Sequence, residues 1–486
     1  MTEPHPRLVI AGTGGDSGKT LVSLGLCLAW RDDGFPVHAF KKGPDYIDTA
    51  WLTWASGGPA RNLDSYLMGF DGVRRAFAST ASPSGPNVIE GNRGLFDGAG
   101  PAGTHSTAEL AKALDAPVVL VLDVTKKTRT AAAIAQGLTT FDPGLHVAGI
   151  VVNRIAGQRH ETTVRRAIED HCDVPVVGAI PALRGDDPLP GRHLGLVAVQ
   201  ERKGLDAVRD RLVAAIRGSV DLERLRTLAR EVDPPAAVAP DPPPPPGGTP
   251  VRIGVLRDTA FHFYYPENLE ALEAQGVELV PLSALEARGL PALDGLYAGG
   301  GFPETHAGAL SANVSLRTAV RDAAAAGLPI YAECGGLMYL ARSIRVHGRD
   351  FPMAGVLPIR LAVEDRPQGH GYVEVEADAD NPVFPTGTVL RGHEFHYSRL
   401  IEGGDEVRTV FAMRRGTGCV SGRDGIVSRN VLASYMHLHA RGVPQWAPGF
   451  VATVRAHARE RDKKIEPRRS GKVAGGKSRA PDRSER

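Results

Sequence analysis

Short apolar runs alternate with longer amphipathic stretches through the first half of the chain. Leu8–Ala11, Val37–Lys41, Asn87–Glu90, Pro117–Asp123 and His146–Asn153 read as strands, and Gly18–Arg31 reads as a helix stopped near Gly34. Near-continuous apolar strands separated by helical segments predict a parallel sheet covered on both faces. The pattern restarts later, with strands at Arg252–Leu256, Gly295–Tyr297 and Pro329–Ala332. Both halves are therefore α/β units, with sites expected at the carboxyl ends of the strands. Between them, Asp233–Pro250 reads DPPAAVAPDPPPPPGGTP, a run that favours extended polyproline II and buries nothing. It predicts a linker (233–250) joining a domain at 1–232 to a second at 251–456. Residues 457–486 are rich in Lys, Arg, Ser and Gly and predict a disordered basic tail.

Composition adds little to that division. With 486 residues, 42% apolar and 23% charged, the chain is too long for one core and has the make-up of a globular protein. The first residues lack the apolar stretch of a secretory signal, and no apolar run reaches membrane length, so a cytoplasmic protein without a membrane partner is expected. From Arg459 onward there are eleven Lys/Arg against five Asp/Glu, so the tail holds an excess of six positive charges and the remainder is mildly acidic. That balance predicts no nucleic-acid partner. Cys27, Cys172, Cys334 and Cys419 are isolated, with no zinc spacing and no disulfide framework.

The first strand runs into Gly12-Thr13-Gly14-Gly15-Asp16-Ser17-Gly18-Lys19-Thr20. Gly14, Gly15, Ser17 and Gly18 can close backbone amides around phosphates, Lys19 can reach the outer phosphates of ATP, and Thr20 can ligate Mg²⁺. Gly12 lies six residues before Gly18, one more than the strict motif asks, and this expanded loop resembles that of the dethiobiotin-synthetase group of ATPases. The chromosome-partitioning ATPases carry an additional lysine five residues before the loop lysine; here that position is Gly14.

Acids and glycines follow the next strands, as Lys41-Lys42-Gly43-Pro44-Asp45-Tyr46-Ile47-Asp48 and as Glu90-Gly91-Asn92-Arg93-Gly94-Leu95-Phe96-Asp97. Phosphoryl transfer to a carboxylate needs a metal ion and cations where charge gathers. Glu90 and Asp45 are candidate Mg²⁺ ligands. Lys42, Asp45, Tyr46, Asp48, Arg93 and Asp97 are candidate acceptor-binding residues. Asn153, ending its strand, could read adenine.

In the second half, Ile330-Tyr331-Ala332-Glu333-Cys334-Gly335-Gly336 reads strand, sharp turn, helix, a nucleophile elbow built on cysteine. A helix N-terminus there favours thiolate. The Gly335 amide, with Gly300 and Gly301 of the loop Gly299–Glu304, can hold an oxyanion. His437 and His439 face the same way if extended; His437 would take the thiol proton and His439 would orient it.

Taken together the chain resembles the cobyrinate a,c-diamide synthase family, along nearly its whole length to about residue 455. The likeness rests on Lys42–Asp48, Arg61–Ser65, Ile89–Gly91, Gly94–Gly98, Ser106–Lys112, Arg192–Leu196, Phe263–Leu272, Gly299–Glu304, Cys334–Gly336, Gly392–Ser398 and His437. The resemblance implies a dethiobiotin-synthetase-like ATPase domain joined to a class I glutaminase-like domain. It implies ATP, Mg²⁺ and L-glutamine as reactants and amidation of the a and c acetates of a corrinoid through an acyl phosphate. Cys334 carries over as nucleophile and His437 as its base, in cobalamin biosynthesis; a homodimer is an admissible assembly. Most of the family has a Val-Met-like pair where this chain has Asn92-Arg93, and one lysine where it has Lys41-Lys42. These departures resemble enzymes that amidate sirohaem or nickel-sirohydrochlorin, so a sirohydrochlorin-type tetrapyrrole acid is the alternative acceptor. The glutaminase superfamily usually has Glu where His439 stands. A different class, a nucleotide-dependent binding protein with an inactive glutaminase half, remains the second alternative.

Overall fold

The first half contains the strands β1 (Arg7–Gly12), β2 (His38–Lys42), β3 (Arg61–Leu63), β4 (Asn87–Glu90), β5 (Val118–Asp123), β6 (Val147–Ile155) and β7 (Val176–Pro181). In the computed structural model, which describes residues 5–183, 189, 191–192, 195–230 and 248–465, they form one parallel sheet ordered β3-β2-β4-β1-β5-β6-β7. Nearly every residue of β1, β4, β5 and β6 is buried, as a sheet covered on both faces requires. Helix α1 (Lys19–Asp32) covers one face, and helices Leu205–Arg217 and Leu222–Arg230 return to pack in the same core. Helix α2 (Tyr46–Ser56) starts after β2, its first amides held by the Asp45 carboxylate. Strand β1 has β4 on one side and β5 on the other, so the connections diverge at its carboxyl end, where ligands of such sheets bind.

The second half builds a ten-stranded sheet that changes character across its width. Val277–Leu282, Val251–Leu256, Gly295–Ala298, Ile330–Glu333 and Val431–Ser434 are parallel neighbours. Beyond Val431–Ser434 the pairing turns antiparallel through Arg423–Ser428, Arg408–Arg415, Gly369–Ala377, Val389–His396 and His437–Leu438. The last strand pairs His437 with His393 and so brings the late histidine back beside the middle of the domain.

Of the expected linker (233–250), residues 233–247 lie outside the described residues, as does the tail from 466 onward. The tail expectation needs one correction: the helix Trp446–Ile465 runs unbroken past residue 456, and Arg461 holds Asp294 at 2.7 Å.

The halves dock along polar and aromatic contacts. Arg61 forms a forked pair with Glu270 (2.9 and 2.6 Å) and reaches Glu267 at 3.5 Å. Tyr372 donates to Asp64 (2.8 Å), and Tyr265 donates to the Pro44 carbonyl (2.9 Å).

Candidate active site

The glycine-rich loop wraps the end of β1. Gly18 takes φ 101°, and a side chain there would strike the Asn153 amide, so glycine is required on both counts. Asn153, expected to read adenine, has a task inside the chain: its Nδ2 donates to Ser17 O (3.0 Å) and its Oδ1 accepts from Arg154 N, bracing the loop. Lys19 Nζ and Ser17 Oγ both donate to Gly14 O, at 2.6 and 3.3 Å. Burial, then the neighbouring Lys41, lowers the Lys19 pKa. Gly15 and Ser17 line a cavity of about 250 Å³ with Asp123, Lys127 and Arg154.

Thr20 donates to Glu90 Oε1 at 2.8 Å, and Lys41 Nζ meets the same oxygen at 2.8 Å and Asp48 at 2.6 Å. Burial works against the Lys41 charge, but Asp48, Glu90 and Asp45 outweigh it and hold the ammonium on. The adjacent lysines therefore differ: Lys41 is a buried counter-ion, and Lys42 lines a large cavity. Asp45, a candidate metal ligand, has a structural task. Its Oδ1 caps α2 through Ile47 N and Asp48 N (2.8 and 2.9 Å), because a helix start leaves those amides without partners. Burial, then Asp48, pushes its carboxyl up to about 7. Asp97 likewise closes its own turn by accepting from Gly94 N (2.9 Å). Arg93 sits exposed at the cavity edge with φ 52°, in no ion pair among the described residues.

The elbow is formed as its sequence predicts. Cys334 takes φ 47°, ψ −99° between Ile330–Glu333 and the helix Gly335–Leu340. Gly335 backs onto the Gly301 amide, and a side chain at Gly300 would strike His437 Cε1. The expected thiolate does not follow. Burial holds the thiol above its ordinary range, with Glu304, Glu333 and Asp424 adding negative charge nearby; the Gly335 amide opposes them, and a six-residue helix has little dipole to add. A base is therefore needed.

His437 and His439 do not form a pair. His439 is fully buried beneath Tyr265, its Nε2 3.5 Å from Glu267 and its Nδ1 accepting from Arg441 N (3.2 Å). His437 instead stacks on His393 (4.9 Å between rings), and its Nδ1 faces Glu333 at 3.5 Å. Burial, then His437, keeps His393 neutral. Asp424 anchors the segment before His437 by accepting from Tyr435 N and Met436 N (3.0 and 3.2 Å).

A single cavity of about 480 Å³ joins the two halves. Lys42, Asp45, Tyr46, Arg93 and Asp97 line it from one side, and Gly301, Glu304, Cys334, His393 and His437 from the other. Asp48, Glu90 and the phosphate loop stand behind the first set. Sequence reasoning missed Glu333, Glu304, His393 and Glu267 as site residues. For Glu333 a signal existed, since an acid ending an apolar strand is the same cue that drew attention to Glu90.

Comparison with known proteins meets this geometry. Residues 8–196 match the CobQ/CobB/MinD/ParA nucleotide binding domain, and residues 252–444 match the CobB/CobQ-like glutamine amidotransferase domain. A cobyrinate a,c-diamide synthase of Magnetococcus marinus is 42% identical over 91% of this chain and 96% of its own length. The chain belongs to the cobyrinate a,c-diamide synthase family. Members from Methanothermobacter thermautotrophicus (40% identical, 91% of this chain, 98% of theirs) and Syntrophotalea carbinolica (42%, 92% and 98%) span it equally fully. Family membership accounts for the two halves, and one cavity is lined by both.

Proposed function

We propose that the protein is a glutamine-hydrolysing carbon–nitrogen ligase that converts the a and c acetate carboxylates of cobyrinate to amides. The observation that carries this reading is the shared cavity, which has Cys334 and His437 on one wall and Lys42, Asp45 and Arg93 on the other. ATP binds along Gly14–Thr20, with Lys19 moving from the Gly14 carbonyl to the outer phosphates. An acceptor carboxylate oxygen attacks the γ-phosphorus, ADP leaves, and an acyl phosphate forms. His437 takes the Cys334 proton, the sulfur attacks the glutamine amide carbon, and ammonia leaves carrying that proton; water then releases glutamate from the thioester. Ammonia crosses the cavity past neutral His393 and displaces phosphate from the acyl carbon.

Thr20 and Glu90 suit Mg²⁺. Glu90 Oε2 is buried with no hydrogen-bond partner, and Thr20 Oγ1 lies beside Oε1, an oxygen set that an ion carried in with phosphates and waters completes. When bound, Mg²⁺ offsets charge on the β- and γ-phosphates. Among the described residues no helix is long and apolar enough to cross a membrane, and a cytoplasmic enzyme is the reading we adopt.

Wild type supplied with ATP, Mg²⁺, glutamine and cobyrinate should gain two amides by mass, and Cys334→Ala should do so only with free ammonia. If only sirohaem-type acids react, the acceptor is wrong; if glutamine is never hydrolysed, the glutaminase half is inactive.

A further inference from the structure

His437 Nδ1 is buried and makes no hydrogen bond within ordinary limits; Glu333 Oε2 lies 3.5 Å away. Glu333 is itself fully buried. Its oxygens accept from Tyr297 OH (3.2 Å), Tyr331 OH (3.3 Å) and Leu438 N (3.4 Å), all of them neutral donors. Among the described residues no Lys or Arg is paired with it, so His437 is the only group in contact with it that can become a cation. A carboxylate taken so far out of water calls for such a partner. The position two residues after the base holds His439, which is already engaged by Glu267.

The backbone explains how a residue adjacent to the nucleophile reaches the far side of the base. Glu333 is the last residue of a strand, and Cys334 turns sharply at φ 47°. Alternation along the strand sends the two side chains to different sides. Cys334 lines the cavity, while Glu333 lies beneath, among Tyr297, Tyr331 and the His437–Leu438 backbone.

We propose that Glu333 is the positioning acid of the glutaminase site: it holds His437 with its proton on Nδ1, leaves Nε2 free to accept the Cys334 proton, and stabilises the imidazolium until that proton passes to departing ammonia. This rests on the reading of Cys334 and His437 as the glutaminase pair. The groups facing His437 are Glu333 from the nucleophile strand, His393 from the neighbouring strand, and Tyr46 from the N-terminal half. Of these, only Glu333 is a carboxylic acid.

Glu333→Gln keeps the shape and removes the charge. It should lower kcat for glutamine hydrolysis by roughly 10²- to 10⁴-fold, the upper figure being the loss when a triad acid is neutralised. The KM for glutamine and ammonia-driven amidation should stay within about twofold, since uniform substrate binding and the second site are untouched. The acid limb of the residual pH–rate profile should move to lower pH, because the imidazolium loses its nearest anion. Glu333→Asp should recover part of kcat, and His439→Gln should retain most of it. An unchanged kcat and profile in Glu333→Gln, or loss confined to His439→Gln, overturns the proposal. If Glu333→Gln also loses ammonia-driven amidation, Glu333→Asp decides: with that amidation retained, the shorter acid should lower kcat for glutamine hydrolysis, and a wild-type kcat there overturns the proposal. A wild type that hydrolyses no glutamine would instead sink the underlying reading.

Discussion

The ring of Tyr46, the first residue of α2, lies 5.3 Å from the imidazole of His437 in the other half of the chain. It also stacks on Phe263 (5.0 Å) and Tyr265 (4.4 Å) and leans on His393 (5.7 Å), so a helix of the N-terminal half supplies one wall of the cavity that Cys334 and His437 line. Asp48 of the same helix pairs with Lys41 of β2, which in turn meets Glu90. Tyr46→Ala should therefore loosen the tie between the two reactions. Glutamate released per amide formed, near one in wild type, should rise several-fold, an effect of about 1 kcal/mol. A ratio that stays at one would show that the ring is only filling.

Glu90→Gln should cut amidation at least 100-fold, about 3 kcal/mol, with glutamine or with ammonia. The substitution removes charge where Thr20 and Lys41 converge and where Mg²⁺ is proposed to bind. Steady-state turnover with each nitrogen source at saturating ATP checks this, and normal turnover in the variant would remove the metal assignment.

Arg93→Met should raise the KM for the acceptor about tenfold, or 1.4 kcal/mol, and leave the KM for ATP unchanged. Arg93 stands at the cavity edge with no ion pair among the described residues, so its charge is available to a peripheral carboxylate. Competition between cobyrinate and sirohaem, run for both proteins, reads affinity and preference together. Identical values would make Arg93 a surface cation.

Asp424 should leave a signature in stability rather than in chemistry. Burial pushes its carboxyl up to about 6, against the pull of the Gly425, Tyr435 and Met436 amides. A carboxyl raised in the folded state binds its proton more tightly there than in the unfolded chain. Its contribution is therefore full below about pH 4 and is lost as pH rises to about 6, by up to roughly 3 kcal/mol. Asp424→Asn cannot ionise, so the stability gap between wild type and variant should change by that amount between pH 4 and 7. Denaturant titrations at several pH values measure it, and a constant gap would contradict the buried acid.

The parallel sheets were legible because strands buried on both faces are apolar almost throughout, as in Val118–Asp123. The antiparallel wing was not, since strands such as Gly369–Ala377 alternate with half-exposed polar residues and glycines that read as loop. The elbow at Cys334 and the phosphate loop announce themselves through local chemistry. What faces the base does not: Glu333 with His437, and Glu267 with His439, are set by which strand or helix the fold lays beside the late histidines. At Asp45 the local pattern is ambiguous, because a helix cap and a metal ligand use the same side chain after the same kind of strand.

A proline-rich stretch divides the gene product at a place that looks made for cutting. The wall that Tyr46 supplies makes such a cut incomplete. A polypeptide beginning at Val251 would carry its nucleophile and base yet open one side of their pocket to solvent. Exchange of either half between relatives succeeds, on this view, only when the aromatic seat of Phe263, Tyr265 and His393 is inherited with a ring that fits it.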